Sequence, residues 1–256
     1  TSATEQTYFL GVMKFVPKEE TGTPQFIPYE EDHSGMAEWI KFDSDSVRVP
    51  ANSKGDVQFE VVVPETIASG SYFSAITASG SKYDLVASNG AVVEAKTAML
   101  VFLTVEGNTQ EKASVLDIEK TGAISNLIGN ISYRIQNQGN VHLVPEGEIA
   151  VKGLFGRTIK RIDANEGQGR VLPNATRRYQ ISSEEKGYWK TVGDQMENLA
   201  IGWLTAELDV SYGNESTKLS AKESFWYFPY HLLGLTFGII VVLTGLLKGL
   251  SNKKRN

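Results

Sequence analysis

The sequence contains no cysteine, which excludes disulfide frameworks, thiolate zinc sites, iron–sulfur clusters and cysteine nucleophiles. Its three histidines, His33, His142 and His231, are far apart in the chain, and no HExxH, GxSxG or GxxxxGK[ST] motif occurs. Two acidic stretches, 29–33 and 43–46, lack the spacing of an EF-hand and favour solvated loops over calcium sites. We therefore expect no enzyme, no metal site and no cofactor.

A clustered basic face is also missing from most of the chain. The sequence has 30 acids against 25 lysines and arginines, and four of those bases follow the last acid, Glu223. Nucleic-acid binding requires a run or patch of Lys and Arg, and none occurs before the C-terminal tail. We therefore expect no nucleic-acid partner.

One long apolar run is present, from Tyr230 to Leu247, and it contains no Asp, Glu, Lys or Arg. A helix of this length covers about 27 Å, close to the thickness of the hydrocarbon core of a bilayer. A buried core helix is the alternative. The residues that flank the run favour a transmembrane helix, because aromatic side chains precede it and basic ones follow it. The predicted membrane-interface anchors are Trp226, Tyr227, Tyr230, Lys248, Lys253, Lys254 and Arg255.

Basic tails stay cytoplasmic, so the predicted topology is a single pass through a cell membrane, with the N-terminal domains outside. The transmembrane helix is predicted over 229–250 and the cytoplasmic tail over 251–256. A protein with this topology needs a signal peptide, so we expect one to precede Thr1 in the native chain. The strand pattern begins almost at once, so we also expect missing upstream strands.

Before the apolar run, hydrophobic residues alternate with polar ones in short segments separated by turns, as in 56–64, 71–79 and 204–213. This pattern predicts an all-β ectodomain with no competing helical segment. We expect two tandem immunoglobulin-like β-sandwiches, the first over 1–106 and the second over 113–228, joined by a polar linker at 107–112. Comparison of the two halves suggests an insertion at 183–198 in the second sandwich.

Two features are candidate contacts for partners. Gly234, Gly238, Gly245 and Gly249 are spaced 4, 7 and 4 residues apart, which places them within about 60° of one helix face and would let another helix approach. The alternative is that glycine is simply frequent in membrane helices. In the insertion, Tyr188, Trp189 and Met196 are candidates for contact with a partner, or for capping the end of the second sandwich.

Several stretches resemble the WxL-interacting proteins of Gram-positive cell surfaces and their bacterial relatives. They are the Trp39-Ile40 pair, the segment SDSVRVPANSKGDVQFEVVVPETIASGSYFSAI, the segment ISYRIQNQGNVHLVPEGEIAVKGLFGR, and SFWYFPY before the apolar run. The resemblance implies a signal peptide, two extracellular immunoglobulin-like domains, one C-terminal membrane helix and a basic tail. It also implies a non-enzymatic surface protein, whose first domain is associated with peptidoglycan and whose second domain is associated with WxL-type surface proteins.

From this resemblance we expect a membrane-anchored bacterial surface protein that binds cell-wall polymer or another surface protein through its sandwiches. The rival hypothesis is a structural subunit of a larger envelope assembly, packed through the glycine face of its transmembrane helix. The expected partners of the chain are the lipid bilayer, a surface protein or peptidoglycan, and a second helix in the membrane.

Overall fold

The computed structural model describes residues 3–29, 31–80, 96–183 and 187–253. Within these ranges the sheets contain 14 strands, and one apolar helix lies at the C-terminal end. The prediction of an all-β chain with a C-terminal apolar helix is confirmed at this level. The chain forms two compact units. Unit 1 comprises 1–112, 138–142 and 172–175, and unit 2 comprises 113–137, 143–171 and 176–256.

The elements of unit 1 are β1 (Gln6–Pro17), β2 (Pro24–Ile27), α1 (Met36–Trp39), β3 (Ile40–Phe42), β4 (Ser46–Val49), β5 (Phe59–Val61), β6 (Gly70–Ser79) and β7 (Lys96–Val105). Its main antiparallel sheet has the strand order β2-β1-β6-β7, with β4 also paired to β1. A second, two-stranded sheet pairs β3 with β5, and the four-residue helix α1 precedes β3.

The main sheet of unit 1 is apolar on both faces. Ala75 and Ile76 are consecutive residues of β6, so their side chains point to opposite faces. On one face Ile76 packs with Trp39 and its neighbours in α1 and β3. On the other face Ala75 packs with Phe15 and with Leu172, a residue from the later part of the chain. Unit 1 therefore completes its core with a segment distant in sequence.

The segment 138–142 also belongs to unit 1 and is held there by Asn140. The Asn140 side chain accepts a hydrogen bond from the Gln110 N–H at 2.7 Å and donates one to the Ser69 carbonyl at 3.1 Å. Its carbonyl accepts a hydrogen bond from the Ser71 N–H at 2.9 Å. A Cβ on Gly139 would lie 2.0 Å from the Gln110 carbonyl oxygen, so only glycine fits this close approach.

Unit 2 has two sheets around one core. The first sheet has the order β11-β10-β13-β14 and the second the order β12-β9-β8. The strands are β8 (Ala113–Thr121), β9 (Asn130–Asn137), β10 (Glu146–Lys152), β11 (Thr158–Asp163), β12 (Thr176–Ser182), β13 (Gly202–Tyr212) and β14 (Thr217–Tyr227). Every second residue of β9 and of much of β13 is buried. Tyr133 from one sheet and Leu208 from the other share the same apolar cluster, so unit 2 is closed by its own strands.

Two α-helices complete unit 2. The first, α2 (Tyr188–Glu197), lies in the segment identified as an insertion, and the sequence analysis did not predict it. Its buried residues, Val192 and Gln195, are three apart and so lie on one face. The second, α3 (Tyr230–Lys253), contains a 19-residue stretch, Tyr230–Lys248, that is long and apolar enough to cross a membrane. Apart from Leu232, near its start, the side chains of this stretch are not buried in protein.

Candidate interaction site

Strand β7 forms an open edge of the main sheet in unit 1. It is ten residues long, and within the described ranges it pairs with β6 alone. The register with β6 runs without a shift from Gly70 opposite Val105 to Ser79 opposite Lys96. The second edge of β7 therefore presents a row of backbone N–H and C=O groups about 33 Å long.

The side chains of β7 make this edge apolar. Met99, Val101 and Leu103 alternate along the strand and so share one face. Val101 and Leu103 pack against the cluster around Trp39, whereas Met99 is 51% exposed although it lies beside the buried Ile76 in the sheet. Among the described residues, the core of unit 1 is therefore uncovered at Met99.

Ser71 and His142 combine a serine hydroxyl and a histidine ring in contact, as catalytic serine–histidine pairs do. The Ser71 hydroxyl lies 2.8 Å from His142 Nδ1 and accepts a hydrogen bond from the His142 backbone N–H at 2.9 Å. It also lies 3.1 Å from the hydroxyl of Thr104. Because the hydroxyl oxygen already accepts the backbone N–H, this arrangement ties the 138–142 segment to β6. We interpret the pair as structural.

The acidic loop at 29–33 is likewise used within unit 1, although Glu30 lies outside the described residues. Asp32 accepts a hydrogen bond from the Lys14 ammonium at 2.6 Å, and its second oxygen accepts the Ser34 N–H at 2.9 Å. These contacts hold the pKa of Asp32 well below its usual range, and the hydrogen bond from Lys14 has the largest effect. Within the described part of the chain, no group of three or more His, Asp or Glu residues is placed to hold a metal ion.

The three candidates from the insertion lie on α2 and are exposed. The Tyr188 ring lies 5.3 Å from that of Trp189 and 5.6 Å from that of His231, in the first turn of α3. Trp189 is 72% exposed, and Met196 follows it by seven residues, so the two share one side of the helix. The structure thus places these side chains beside the start of the apolar helix.

The predicted membrane-interface anchors are split by the fold. Trp226 and Tyr230 are exposed, whereas Tyr227 is 1% exposed and belongs to the core of unit 2. Burial raises the pKa of Tyr227 to about 12. Its ring therefore cannot act as a surface anchor. Lys248 and Lys253 lie in α3, and Lys254 and Arg255 lie outside the described residues.

The glycines of the predicted packing face all lie in α3. A Cβ added to Gly234, Gly238 or Gly245 would meet nothing within 4 Å, so this side of the helix is open. Gly249 lies one turn beyond Gly245. Contact with a second helix through these residues stays a prediction.

The open edge of β7 was not among the sequence-derived candidates. Which strand lies at an edge depends on pairing between distant segments, which local periodicity does not contain. One sequence signal was present: KTAMLVFLTV has a single charge, at its first residue, and no proline. Edge strands are usually protected by charged side chains or proline, and β7 has only Lys96 of these.

No family model and no curated protein matches the chain. Several solved structures of chaperones are similar to it. CfaA, a class 5 fimbriae chaperone, is 12% identical, with a TM-score of 0.38 over 90% of this chain and 89% of that chain. The CupB2 chaperone of Pseudomonas aeruginosa is 8% identical, with a TM-score of 0.38 over 89% of each chain. The E. coli chaperone DraB is 10% identical, with a TM-score of 0.33 over 86% and 85%.

The predicted function, a surface protein that binds wall polymer or another surface protein, is contradicted by these neighbours, which are chaperones, one of them for class 5 fimbriae. We therefore withdraw it. TM-scores of 0.38 and below do not give a chaperone's activity to this chain either. The resemblance to the WxL-interacting proteins and the expected lack of enzymatic activity stay predictions.

Proposed function

We propose that this chain is a membrane-anchored protein that holds an extended segment of a partner polypeptide as an added strand along β7. The observation that carries the proposal is the ten-residue open edge of β7, beside which the apolar core of unit 1 is uncovered at Met99. Pairing of this kind takes its affinity from backbone hydrogen bonds and its specificity from alternate side chains.

Among the described residues, the edge lacks the features that natural proteins use to block strand addition. Such edges are commonly short, bulged, or interrupted by proline or a charged side chain. In contrast, β7 is long, has an unshifted register with β6, and carries only Lys96 as a charged residue. A strand paired here would place its alternate side chains beside Met99 and Val101, where apolar residues gain about 25 cal/mol per Å² buried.

The helix α3 supplies the second part of the proposed function, which is to hold this edge at a membrane. The aromatic residues before the apolar stretch and the basic residues after it support a single pass with the β units outside the cytoplasm. For unit 2 we propose an immunoglobulin-like sandwich. Its four-stranded and three-stranded sheets around one core support that assignment.

Photo-crosslinking from position 99 in native membranes tests the proposal. A photoreactive amino acid replaces Met99, and in the control it replaces Leu154, which is equally apolar and exposed but lies in a turn of unit 2. We expect position 99 to form an adduct with one other polypeptide, with the attachment sites confined to a short extended segment. An adduct with residues 81–95 of the same chain, or equal labelling from positions 99 and 154, would overturn the proposal.

Charge substitutions give a second measurement on the same edge. Met99→Asp and Leu100→Asp should each lower recovery of the crosslinked polypeptide several-fold, because a carboxylate opposes burial beside an added strand. Leu154→Asp should leave recovery unchanged. Hydrogen exchange of β6 amides in each variant separates lost binding from lost folding.

A further inference from the structure

The end of unit 2 from which α3 begins carries a group of exposed apolar residues, here named the aromatic patch. None of its members is charged. It consists of Trp189, Met196, Leu199, Ile201, Trp203, Trp226, Phe228 and Tyr230.

Several members of the patch lie near the start of α3. The rings of Trp203 and Trp226, which are partners in the β13–β14 register, lie 5.5 Å apart. Strand β14 ends at Tyr227, three residues before α3 begins at Tyr230, a chain distance of at most about 10 Å. Trp189 contacts Tyr188, whose ring lies against His231.

A buried hydrogen-bond bridge fixes α2 to the first turn of α3. Gln195 is 2% exposed, and its side-chain oxygen accepts the Leu232 N–H at 2.9 Å. The side-chain nitrogen of the same residue donates to the Ser125 carbonyl at 3.0 Å. A buried amide whose partners come from two elements holds those elements in one arrangement, because breaking either bond leaves a polar group unsatisfied. The position of α2 is therefore set relative to the beginning of the apolar stretch.

The length of that stretch sets its depth in a membrane. Crossing a hydrocarbon core about 30 Å thick needs about 20 helical residues. The apolar stretch of α3 has 19. Because this length is close to the thickness of the hydrocarbon core, a crossing helix has His231 and Leu232 near the boundary between hydrocarbon and headgroups. The Gln195 bridge then places the C-terminal part of α2 near the same depth.

From these observations we propose that the aromatic patch is embedded in the headgroup region of the membrane that α3 crosses. Trp and Tyr are the residues enriched at this boundary, where an apolar ring and a polar N–H or O–H are both accommodated. Lys190 and Glu197, the exposed charged residues of α2, lie about 100° around the helix from Trp189 and Met196 and would face water. The lipid contact would hold unit 2 at a fixed orientation on the bilayer.

Because the chain has no cysteine, single-cysteine variants of the full chain allow site-directed spin labelling. The test sites are Trp189→Cys and Met196→Cys, the second of which leaves every aromatic residue in place. The matched controls, about 100° around the same helix, are Lys190→Cys and Glu197→Cys. Each variant is reconstituted in phosphatidylcholine–phosphatidylglycerol nanodiscs, which expose both membrane faces to a water-soluble nickel chelate and to oxygen.

We expect labels at 189 and 196 to show several-fold lower accessibility to nickel and higher accessibility to oxygen than labels at 190 and 197. Equal nickel accessibility at all four sites would overturn the proposal. Protection that disappears when the protein is diluted to one copy per disc would also overturn it, because a second copy would then cover the patch. Near-UV circular dichroism identical to that of the parent chain shows that the variants at 190, 196 and 197, which keep every aromatic residue, are folded.

Discussion

The two β units differ in how their cores are closed. In unit 2, sheets of four and three strands enclose a single cluster of 16 buried residues, including Tyr133, Leu208 and Tyr227. In the described part of unit 1, the cover over the main sheet is α1 and two strands of three residues each, and the two clusters contain four and three buried residues. Unit 2 is therefore suited to support a fixed attachment, and unit 1 to accept an additional strand.

This difference also separates the roles that we propose for the two units. The uncovered position in unit 1 lies at a sheet edge, where an added strand can satisfy the backbone and cover Met99 at once. Several exposed apolar residues of unit 2 lie near the start of α3, the helix that is long and apolar enough to cross a membrane. The partner that we propose for exposed apolar residues therefore differs between the two units.

The largest expected difference between the units is in the cost of removing an apolar side chain. Leu208→Ala should destabilise unit 2 by about 2–5 kcal/mol, because Leu208 is fully buried between the sheets. Met99→Ala should cost less than about 1 kcal/mol, because half of that side chain is already in water. Urea unfolding in detergent, followed by hydrogen exchange of β13 and β6, measures both. If the Met99 variant loses as much stability as the Leu208 variant, the core of unit 1 is not open at β7.

The second prediction concerns the dependence of unit 1 on a segment from later in the chain. In Gly139→Ala the new Cβ would overlap the Gln110 carbonyl, so we expect a loss of about 1–3 kcal/mol. Hydrogen exchange should accelerate in β6, where Ser71 contacts this segment, and should change little in β13. The control is Gly167→Ala, where a Cβ would meet nothing within 4 Å. Equal acceleration of exchange in β6 and β13 would show that residues 138–142 do not stabilise unit 1 specifically.

The third prediction uses the buried tyrosines of unit 2. Burial raises the pKa of Tyr227 to about 12 and also raises the pKa values of Tyr133 and Tyr179. A raised folded-state pKa contributes stability that is complete below the unfolded value of about 10 and is lost as the pH rises toward the folded value. Unit 2 should therefore lose stability between pH 10 and about 12.

Tyr227→Phe should remove its share of this loss, up to about 2 kcal/mol at the alkaline end. The measurement is the pH dependence of urea unfolding between about pH 8 and pH 11.5 for the parent chain and the variant. Curves of identical slope would mean that the Tyr227 hydroxyl is not shielded from water. Trp226→Phe is the matched control, because the neighbouring ring is exposed and has no acidic proton in this range.

Local periodicity predicted the features that are local. The alternating segments became strands, and the apolar run became α3, because each pattern has one geometry that buries or exposes the right side chains. The same alternation places Trp226 and Tyr227 on opposite faces of β14, so the sequence already implied that only one of them could be a surface anchor. Sequence reasoning treated both as anchors because it considered them as an aromatic cluster.

The features that were not predicted depend on contacts between residues that are far apart in the sequence. The helix α2 contains Thr191, Val192 and Gly193, all poor helix formers, and it is held by packing and by the Gln195 bridge to α3. The open edge of β7 follows from the pairing order of four strands that span most of unit 1. Neither the bridge nor the pairing order leaves a periodic signal in the sequence.

The smallest expected effect is that of removing one ion pair from each unit. In unit 2, Arg134 and Asp117 form a cross-strand ion pair in which two guanidinium nitrogens of Arg134 donate to the carboxylate. In unit 1, Lys14 contacts Asp32 at 2.6 Å. Hydrogen bonds from Arg134 and from Lys14, respectively, lower the pKa values of the two carboxyl groups. Each pair therefore contributes stability that is present above the unfolded pKa near 4 and is lost as the pH falls below it.

Both pairs are partly exposed, so solvent screening keeps their contributions small. Asp117→Asn should cost about 0.5 kcal/mol or less, and Asp32→Asn should produce a change of similar sign that decreases in high salt. Thermal unfolding at pH 7 and pH 3, in low and high salt, measures both. The difference between each variant and the parent chain should be smaller at pH 3 than at pH 7, because each contribution begins to be lost once the pH falls below the unfolded pKa. A large loss for Asp32→Asn alone would show that the 29–33 loop, rather than the apolar clusters, supports unit 1, and the contrast between the two cores would then need a different explanation.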